Sequence, residues 1–333
     1  MNHAKARVME SVTEREMDMY YAATIYDKVY KYITTNKERE FNKANIEFRL
    51  ADKDLGVHSK VQALITGEFN KAMLEVFPNV RAVIVPYTGL NGLDTAPMQS
   101  KGIMIFNSTA HSHFVAERAL ALTLAVLGKL VFYNNNLMKG DWSKRTEPDR
   151  VSWTSLSNKR VAIYGYGIIG KEIHRLMKPF GIEVGVLDYR NRRPHDVHVF
   201  KRLEELAVWS DVFVIAVPLT DETNGRIDET MFAALKKKVL INIGRGQIID
   251  EDALYESLKS GDLKGFGSDV WFQYPSKDRK IVMPSKHPIE SFDNVVMTPH
   301  CAGFEDHSLE LRYSDVADQL IRIAGGDFRG RKL

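Results

Sequence analysis

The sequence predicts an α/β protein with two doubly wound parallel-sheet domains, on three observations. The chain has 333 residues, and at about 150 residues per domain this length favours two domains. Hydrophobic residues make up 44% of the chain and charged residues 27%, a composition that is typical of globular proteins and excludes a disordered chain. Short apolar runs alternate with segments of helical periodicity, and this alternation predicts parallel sheets covered by helices.

The first of these domains is predicted from the N-terminal third of the chain. Residues 11–40 are rich in Glu, Lys, Met, Tyr and Ala and are predicted as helix, and a further helix is predicted to stop at Pro78 and Asn79. Short apolar runs predict buried strands at 46–51, 61–66, 80–85 and 102–107.

A long helical stretch at 112–139, with Leu120, Leu124, Leu127 and Val131 as its core face, leads into the second domain. Six further strands are predicted at 159–165, 183–188, 211–217, 238–244, 265–271 and 294–299. The final helix, 309–324, has no sheet of its own, so we expect it to return to the first domain. The predicted domains are therefore 109–303 and a discontinuous domain of 1–108 with 304–333.

Charge and cysteine content exclude several classes of protein. The net charge of +3 gives no general attraction to nucleic acid or anionic lipid. The N-terminal segment lacks the apolar core of a signal peptide, and no apolar run reaches the roughly 18 residues of a membrane helix. The single cysteine, Cys301, excludes an intrachain disulfide and a cysteine-based metal site. We therefore expect a cytoplasmic protein with neither nucleic-acid nor membrane partners.

A glycine-rich segment predicts a dinucleotide site. Gly165, Gly167 and Gly170 follow a predicted strand and open a predicted helix, and Asp188 ends the next strand. In this context the glycines permit a tight turn, close approach of a pyrophosphate and close packing of helix on strand. The helix N-terminus offers its N–H groups to the phosphates. The segment therefore predicts a Rossmann-like domain at 109–303.

The residues around Asp188 bear on the choice between NAD and NADP. A carboxylate at this position accepts hydrogen bonds from the adenosine ribose and disfavours a 2′-phosphate, which predicts NAD. Arg190, Arg192 and Arg193 argue the other way, because guanidinium groups pair with phosphates.

Three more polar segments, 242–246, 268–271 and 298–303, lie at the carboxyl ends of predicted strands. They bring an arginine, Arg245, a carboxylate, Asp269, and a histidine, His300. Because parallel strands end at one edge of a sheet, where such sheets bind ligands, we expect the three side chains to converge. A permanently charged guanidinium can grip a carboxylate, and an imidazole can move a proton near neutral pH.

With these residues the chain resembles the D-isomer-specific 2-hydroxyacid dehydrogenase family. The matching segments, in the family's order, are 89–94, 115–117, 165–170, 218–223, 242–246, 269 and 299–303. The resemblance implies NAD-dependent interconversion of a D-2-hydroxy acid and a 2-oxo acid. It also implies two Rossmann-like or flavodoxin-like domains with a cleft between them, and a homodimer.

The resemblance implies a role for each matching residue. Arg245 would bind the substrate carboxylate and carbonyl, and His300 would be the acid/base. The residues implied to bind NAD are Gly165, Gly167, Ile168, Ile169, Gly170, Asp188, Val217, Pro218, Thr223, Ile243 and Asp269. Those implied to bind substrate are Tyr87, Thr88, Gly89, His111 and Arg245.

Two positions depart from the family pattern. Tyr274 stands where relatives usually carry the glutamate that pairs with the histidine, and we assign it to the catalytic group. His111 aligns where relatives commonly carry a substrate-side asparagine. His111 and His113 lack a credible third ligand, so no metal site is expected.

These departures leave two alternatives to a 2-oxoacid reductase. One is oxidation of formate or phosphite on the same scaffold, because formate has no hydroxyl proton to remove. The other is an NAD-sensing, partner-binding protein similar to the transcriptional corepressors that resemble this family.

Overall fold

The computed structural model describes residues 19–52, 58–188 and 195–329. Contacts divide the chain into two compact units, one formed by Met1–Ser108 with Arg312–Leu333 and the other by Thr109–Leu311. Each unit contains one parallel sheet with helices on its faces. Within the described residues, no helix has the length and apolar character that crossing a membrane requires.

The first unit has a five-stranded sheet in the order β2-β1-β3-β4-β5, with every neighbouring pair parallel. This is the flavodoxin-like strand order. The strands are β1 Tyr20–Thr24, β2 Ile46–Leu50, β3 Ala63–Ile65, β4 Ala82–Val85 and β5 Met104–Asn107. Its helices are α1 Asp27–Asn36, α2 Glu38–Lys43, α3 Lys71–Val76 and α4 Thr95–Ser100, joined by most of α11, Ser308–Ala324.

The sequence prediction for the N-terminal segment was wrong in part. Residues 20–24 form β1, an inner strand of the sheet, instead of continuing a helix. Ala22 and Ala23 are almost completely buried there. Their small side chains allow helices to pack closely over both faces of β1, so tertiary packing overrides the helix propensity of alanine.

The second unit has a seven-stranded parallel sheet in the order β12-β11-β10-β9-β6-β7-β8. The strands are β6 Arg160–Tyr164, β7 Glu183–Leu187, β8 His198–Phe200, β9 Val212–Ile215, β10 Val239–Asn242, β11 Gly265–Ser268 and β12 Val295–Met297. Counted from β6, the order is that of the Rossmann fold with one strand added beside β11. The sequence predicted six of these strands and missed β8, a three-residue edge strand.

Helices of the second unit are α5 Ser112–Leu127, α6 Leu130–Leu137, α7 Ile168–Met177, α8 Leu203–Trp209, α9 Glu229–Ala234 and α10 Glu251–Lys259. The helix predicted over 112–139 is therefore two helices, which separate at Gly128 and Lys129, where Lys129 has a φ of 51°. The predicted core face is also corrected. Leu120 and Leu124 are only half-buried and Val131 is exposed, because α5 turns Ala119 and Leu122 toward the sheet instead.

Candidate active site

The glycine-rich loop lies at the carboxyl end of β6, next to the point where the strand order reverses. Gly165 has a φ of 111°, and a Cβ there would lie 2.6 Å from the backbone of Ala216 after β9. A Cβ on Gly170 would lie 2.1 Å from the Gly165 carbonyl oxygen. Both positions therefore require glycine, and α7 begins tightly against the sheet.

The remaining features of this loop fit a dinucleotide. A Cβ on Gly167 would meet no described atom within 4 Å, so the space in front of the α7 N-terminus is open. No described side chain caps that terminus, which leaves the N–H groups of Ile168 and Ile169 directed at this space. One carboxylate oxygen of Asp188 is buried and has no hydrogen-bond partner among the described residues. It is suitably placed after β7 to accept from a ribose hydroxyl.

The other sequence-predicted cofactor residues follow β9 and β10. Val217 and Pro218 lie in the loop after β9, and the Thr223 hydroxyl donates to the Pro218 carbonyl at 2.7 Å. This bond closes the loop after β9. Ile243 follows β10 and donates its N–H to Ile215. The arginines at 190, 192 and 193 lie outside the described residues.

The strand register aligns the loops that carry the polar residues. Tyr164, Ile215, Asn242, Ser268 and Met297 are consecutive partners across five neighbouring strands. The residues that follow them therefore leave the sheet side by side at its carboxyl edge. This alignment brings together the loops of Arg245, Asp269 and His300, as the sequence predicts.

A buried asparagine holds the loop after β10 that carries Arg245, called the arginine loop below. Asn242 is completely buried; its Nδ2 donates to the Arg245 carbonyl at 2.9 Å, and its Oδ1 accepts from the Gly244 N–H at 3.0 Å. A Cβ on Gly246 would lie 2.2 Å from the Trp271 carbonyl oxygen. The arginine loop is therefore packed directly against the segment that follows β11.

Asp269 holds the loop 298–303, which carries His300 and is called the histidine loop below. The sequence did not reveal this arrangement. The buried carboxylate of Asp269 accepts from the Thr298 hydroxyl at 2.5 Å, the Cys301 N–H at 3.0 Å and the Ala302 N–H at 2.9 Å. Between these donors His300 has a φ of 53°, a left-handed conformation that is unfavourable for most side chains. The carboxylate thus maintains the backbone geometry that presents the imidazole. The resemblance implies a cofactor contact for Asp269, and the structure adds this role in holding the histidine loop.

Tyr274 lies beside His300, with its ring centroid 5.4 Å from that of the imidazole. The tyrosine hydroxyl accepts a hydrogen bond from the Trp271 N–H at 3.0 Å. Among the described residues, no carboxylate forms an ion pair with His300. Partial burial lowers the pKa of His300 and positive Arg245 lowers it further, while Asp269 acts in the opposite direction.

The residues predicted to bind substrate are divided between the units. Tyr87, Thr88 and Gly89 follow β4 of the first unit, where the Asn107 side chain donates to the Thr88 carbonyl at 2.9 Å. His111 belongs to the second unit and is buried. A Cβ on Gly303 would lie 3.0 Å from the His111 ring, so His111 packs against the end of the histidine loop.

Comparison with known proteins indicates the family of the chain. A family model described as D-isomer specific 2-hydroxyacid dehydrogenase, NAD binding domain, matches residues 120–302. The chain is 31% identical over 252 residues to a glycerate dehydrogenase of Methylorubrum extorquens, an alignment that covers 74% of this chain and 76% of that protein. It is also 31% identical over 281 residues to a glyoxylate reductase of Pyrococcus horikoshii, covering 80% and 81%.

Solved structures share the fold at lower sequence identity. A glyoxylate reductase from Paecilomyes thermophila matches with a TM-score of 0.78 at 21% identity, covering 94% of this chain and 98% of that chain. A D-lactate dehydrogenase from Aquifex aeolicus, complexed with NAD and lactic acid, matches with a TM-score of 0.73 at 22% identity, covering 92% and 96%.

The Rossmann sheet with a glycine-rich loop at its switch point, together with the match to an NAD-binding family model, places the chain in the class of NAD-dependent oxidoreductases. Within that class, the chain belongs to the D-isomer specific 2-hydroxyacid dehydrogenase family.

Proposed function

We propose that the protein reduces a 2-oxo acid to the corresponding D-2-hydroxy acid, with Arg245 as the substrate-binding cation and His300 as the proton donor. The observation that supports this most directly is the aligned set of loops at the carboxyl edge of the second sheet, which carries Arg245, Asp269 and His300 on neighbouring strands. The same edge carries the glycine-rich loop.

Arg245 has the chemistry to bind and polarise the substrate. Its guanidinium is charged at every physiological pH and can hold a carboxylate through two parallel N–H donors. One of its Nη groups donates to the Gly244 carbonyl at 2.6 Å, which restrains the side chain.

His300 would supply the proton. NADH, when bound, supplies the hydride for the carbonyl carbon, and the residues that would hold it are Gly165, Gly167, Asp188 and the α7 N-terminus. Reduction leaves negative charge on the carbonyl oxygen, so a protonated imidazole would donate to that oxygen, and the neutral imidazole would accept the proton in reverse.

The named relatives favour a hydroxyacid or oxoacid substrate over formate or phosphite, since they are called glycerate dehydrogenase and glyoxylate reductase. The test is NADH oxidation with glyoxylate, pyruvate, hydroxypyruvate, phenylpyruvate, 2-oxoisocaproate and oxaloacetate, with formate and phosphite as substrates for NAD reduction. We expect turnover of at least one 2-oxo acid. Turnover of formate or phosphite alone, or tight NADH binding without any turnover, would favour the alternatives.

The pH dependence should reflect that no carboxylate of the described residues forms an ion pair with His300. Because the imidazole must be protonated for reduction and its pKa is lowered, kcat/KM should fall as the pH rises through this low pKa. Tyr274→Glu should place a negative charge near the ring and move the apparent pKa upward by about one unit. Tyr274→Gln is the neutral control and should leave the pKa in place. Identical profiles for the two variants would mean that Tyr274 is not the partner of His300.

The cofactor preference should depend on Asp188. We expect a higher kcat/KM with NADH than with NADPH, and Asp188→Ala should reduce that ratio by about tenfold or more, because a carboxylate no longer opposes the 2′-phosphate. Asp196→Ala, at an exposed aspartate that forms an ion pair with Lys178, is the control. Equal use of both cofactors by the wild type would contradict this prediction and would indicate that Arg190, Arg192 and Arg193 pair with the 2′-phosphate.

We further propose a homodimer built through α6. Every residue of α6 is at least partly exposed, and apolar side chains on and after it are strongly exposed: Leu130 58%, Leu137 50%, Met138 80% and Trp142 62%. Several strongly exposed apolar side chains on one short segment are typical of an interaction site.

Sedimentation at micromolar concentration should therefore give about twice the chain mass of 37.9 kDa. The double variant Leu137→Glu with Met138→Glu should sediment as a single chain, because it places charges in an apolar contact. Lys139→Glu, at the neighbouring exposed position, should remain dimeric. A wild-type protein of 37.9 kDa would contradict the proposal.

A further inference from the structure

Trp271 lies between the loops that carry Arg245, Tyr274 and His300. It comes shortly after β11 and is only 5% exposed. The indole packs in the core of the second unit, with its ring edge-to-face against Phe266 at 6.4 Å between centroids and 87° between planes. The direction of the ring is therefore set by the core and not by a bound ligand.

The indole N–H of Trp271 donates to the backbone of the histidine loop. Its Nε1 lies 2.8 Å from the Thr298 carbonyl oxygen. The same carbonyl accepts from the His300 N–H at 3.0 Å. A carbonyl oxygen has two lone pairs, so both donors can be satisfied at once. The turn that leads into His300 is therefore tied to the position of the indole.

The bond from the indole acts at a point that the bonds to Asp269 do not reach. The Asp269 carboxylate holds the Thr298 hydroxyl and the N–H groups of Cys301 and Ala302, which lie on either side of His300. The N–H of His300 itself is satisfied by the Thr298 carbonyl, and the indole fixes the direction of that carbonyl. A left-handed residue such as His300, with a φ of 53°, persists only where its surroundings hold it in place.

The backbone of Trp271 contacts the two other loops. Its N–H donates to the Tyr274 hydroxyl at 3.0 Å, and the Tyr274 ring lies beside the imidazole of His300. Its carbonyl oxygen is the nearest atom to the position that a Cβ on Gly246 would take, at 2.2 Å. These contacts do not involve the indole, so a substitution of the side chain leaves their donor and acceptor in place.

We propose that Trp271 is a positioning residue for the proton transfer, in which its indole N–H, acting through the Thr298 carbonyl, aligns the His300 imidazole with the substrate oxygen. Trp271 acts through the backbone and not by contact with the substrate. The inference rests on the proposed function for the proton step and goes beyond it by naming the residue that aligns the acid. Proton transfer requires the donor to lie within hydrogen-bond reach of the acceptor, and small misplacements of a catalytic group are costly.

Trp271→Phe tests the indole N–H, because phenylalanine keeps an aromatic ring in the core and has no donor. With the best 2-oxo acid, kcat and the single-turnover rate of NADH oxidation should fall about tenfold, the size of one orienting hydrogen bond. KM and NADH affinity should stay within about twofold, because the arginine loop and the glycine-rich loop keep their contacts. A loss confined to kcat distinguishes alignment of the acid from a general disturbance of binding.

The titration of His300 gives a second measurement, which needs no substrate. Burial and the charge of Arg245 lower the pKa of His300, and Asp269 opposes them. Burial raises the pKa of Tyr274, so this neighbour stays neutral. Without the indole bond the imidazole should become more accessible to water, and its pKa should rise by about 0.5 toward its ordinary value. Proton NMR of carbon-13-labelled histidine, with the His300 signal assigned by its absence in His300→Asn, measures this pKa in the wild type and in Trp271→Phe.

Trp209→Phe is the matched control, at a half-buried tryptophan at the end of α8 that packs against His198 and Phe200. It should leave kcat, KM and the His300 pKa unchanged. Thermal melting and NADH binding establish that each variant is folded. If Trp271→Phe does not fold, benzothienylalanine at position 271, which keeps the bicyclic shape and replaces the N–H with sulfur, should produce the same two changes.

The outcomes separate this inference from the proposed function. Wild-type kcat, or a His300 pKa equal to that of the wild type, in the folded Trp271 variant would overturn the positioning role and leave the proposed reductase intact. An equal loss of kcat in Trp209→Phe would also overturn it. If the wild type reduces none of the 2-oxo acids, the proposed function fails. The titration then decides alone, since a raised His300 pKa in Trp271→Phe supports the positioning role and an unchanged pKa overturns it.

Discussion

Replacing His300 with alanine is expected to lower kcat/KM for 2-oxoacid reduction by about 10²- to 10⁴-fold, the usual contribution of a general acid. The proton needed by the developing alkoxide would then have to come from water. NADH affinity should change only a few-fold, because the glycine-rich loop follows β6 and does not depend on the histidine. Steady-state kinetics with the best 2-oxo acid, together with NADH titration, measures both quantities.

Backbone geometry calls for a second variant at this position. His300 is in the left-handed region, which asparagine tolerates better than alanine. His300→Asn should therefore keep the loop intact and show a similar loss. His307→Ala, at an exposed histidine of the same segment, is the control and should stay near wild type. Retention of more than about a tenth of wild-type kcat/KM in either His300 variant would contradict the acid/base role of His300. Such a result corresponds to a loss of transition-state stabilisation below about 1.4 kcal/mol.

Arg245→Ala should lower kcat/KM by about 10³-fold, because truncating one partner of a desolvated charge pair typically costs about 2–5 kcal/mol. KM should rise and kcat should fall together, since the guanidinium would bind the substrate carboxylate and also polarise the carbonyl that becomes charged. Arg245→Lys keeps the charge but loses the paired donors, so it should recover only part of the activity.

The matched control for this loss is Arg175→Lys and Arg175→Ala, at a largely exposed arginine near the end of α7. These changes should leave both kinetic constants close to wild type. An Arg245→Ala enzyme with unchanged kcat and a modest increase in KM would mean that the side chain contributes only to ground-state binding.

The inner strands of both sheets were predictable because they are buried on both faces. Residues 212–215 and 239–242 are continuous apolar runs, apart from Asn242, and every residue in them is buried. β1 was not predictable in this way, since the alanines at its centre are helix formers until the rest of the sheet surrounds them. β8 is an edge strand of three residues, too short to show periodicity.

The proximity of Arg245 and His300 was predictable from chain topology alone, because consecutive parallel strands end at one edge. The hydrogen bonds that hold the histidine loop were not predictable from topology. The bonds from Thr298, Cys301 and Ala302 to Asp269 depend on side-chain direction across about thirty residues of sequence.

The contact between His111 and Gly303 has a consequence for how this site varies among related chains. The His111 ring fills the space that a Cβ at position 303 would need, at 3.0 Å. A shorter side chain at 111, such as asparagine, would open a gap that alanine at 303 could fill, whereas alanine at 303 alone would require the ring to move by a few tenths of an ångström. The side chains at these two positions therefore have to match in size, and we expect substitutions at 111 and 303 to occur together in related proteins. Any redesign of the substrate side of the histidine loop has to treat them together.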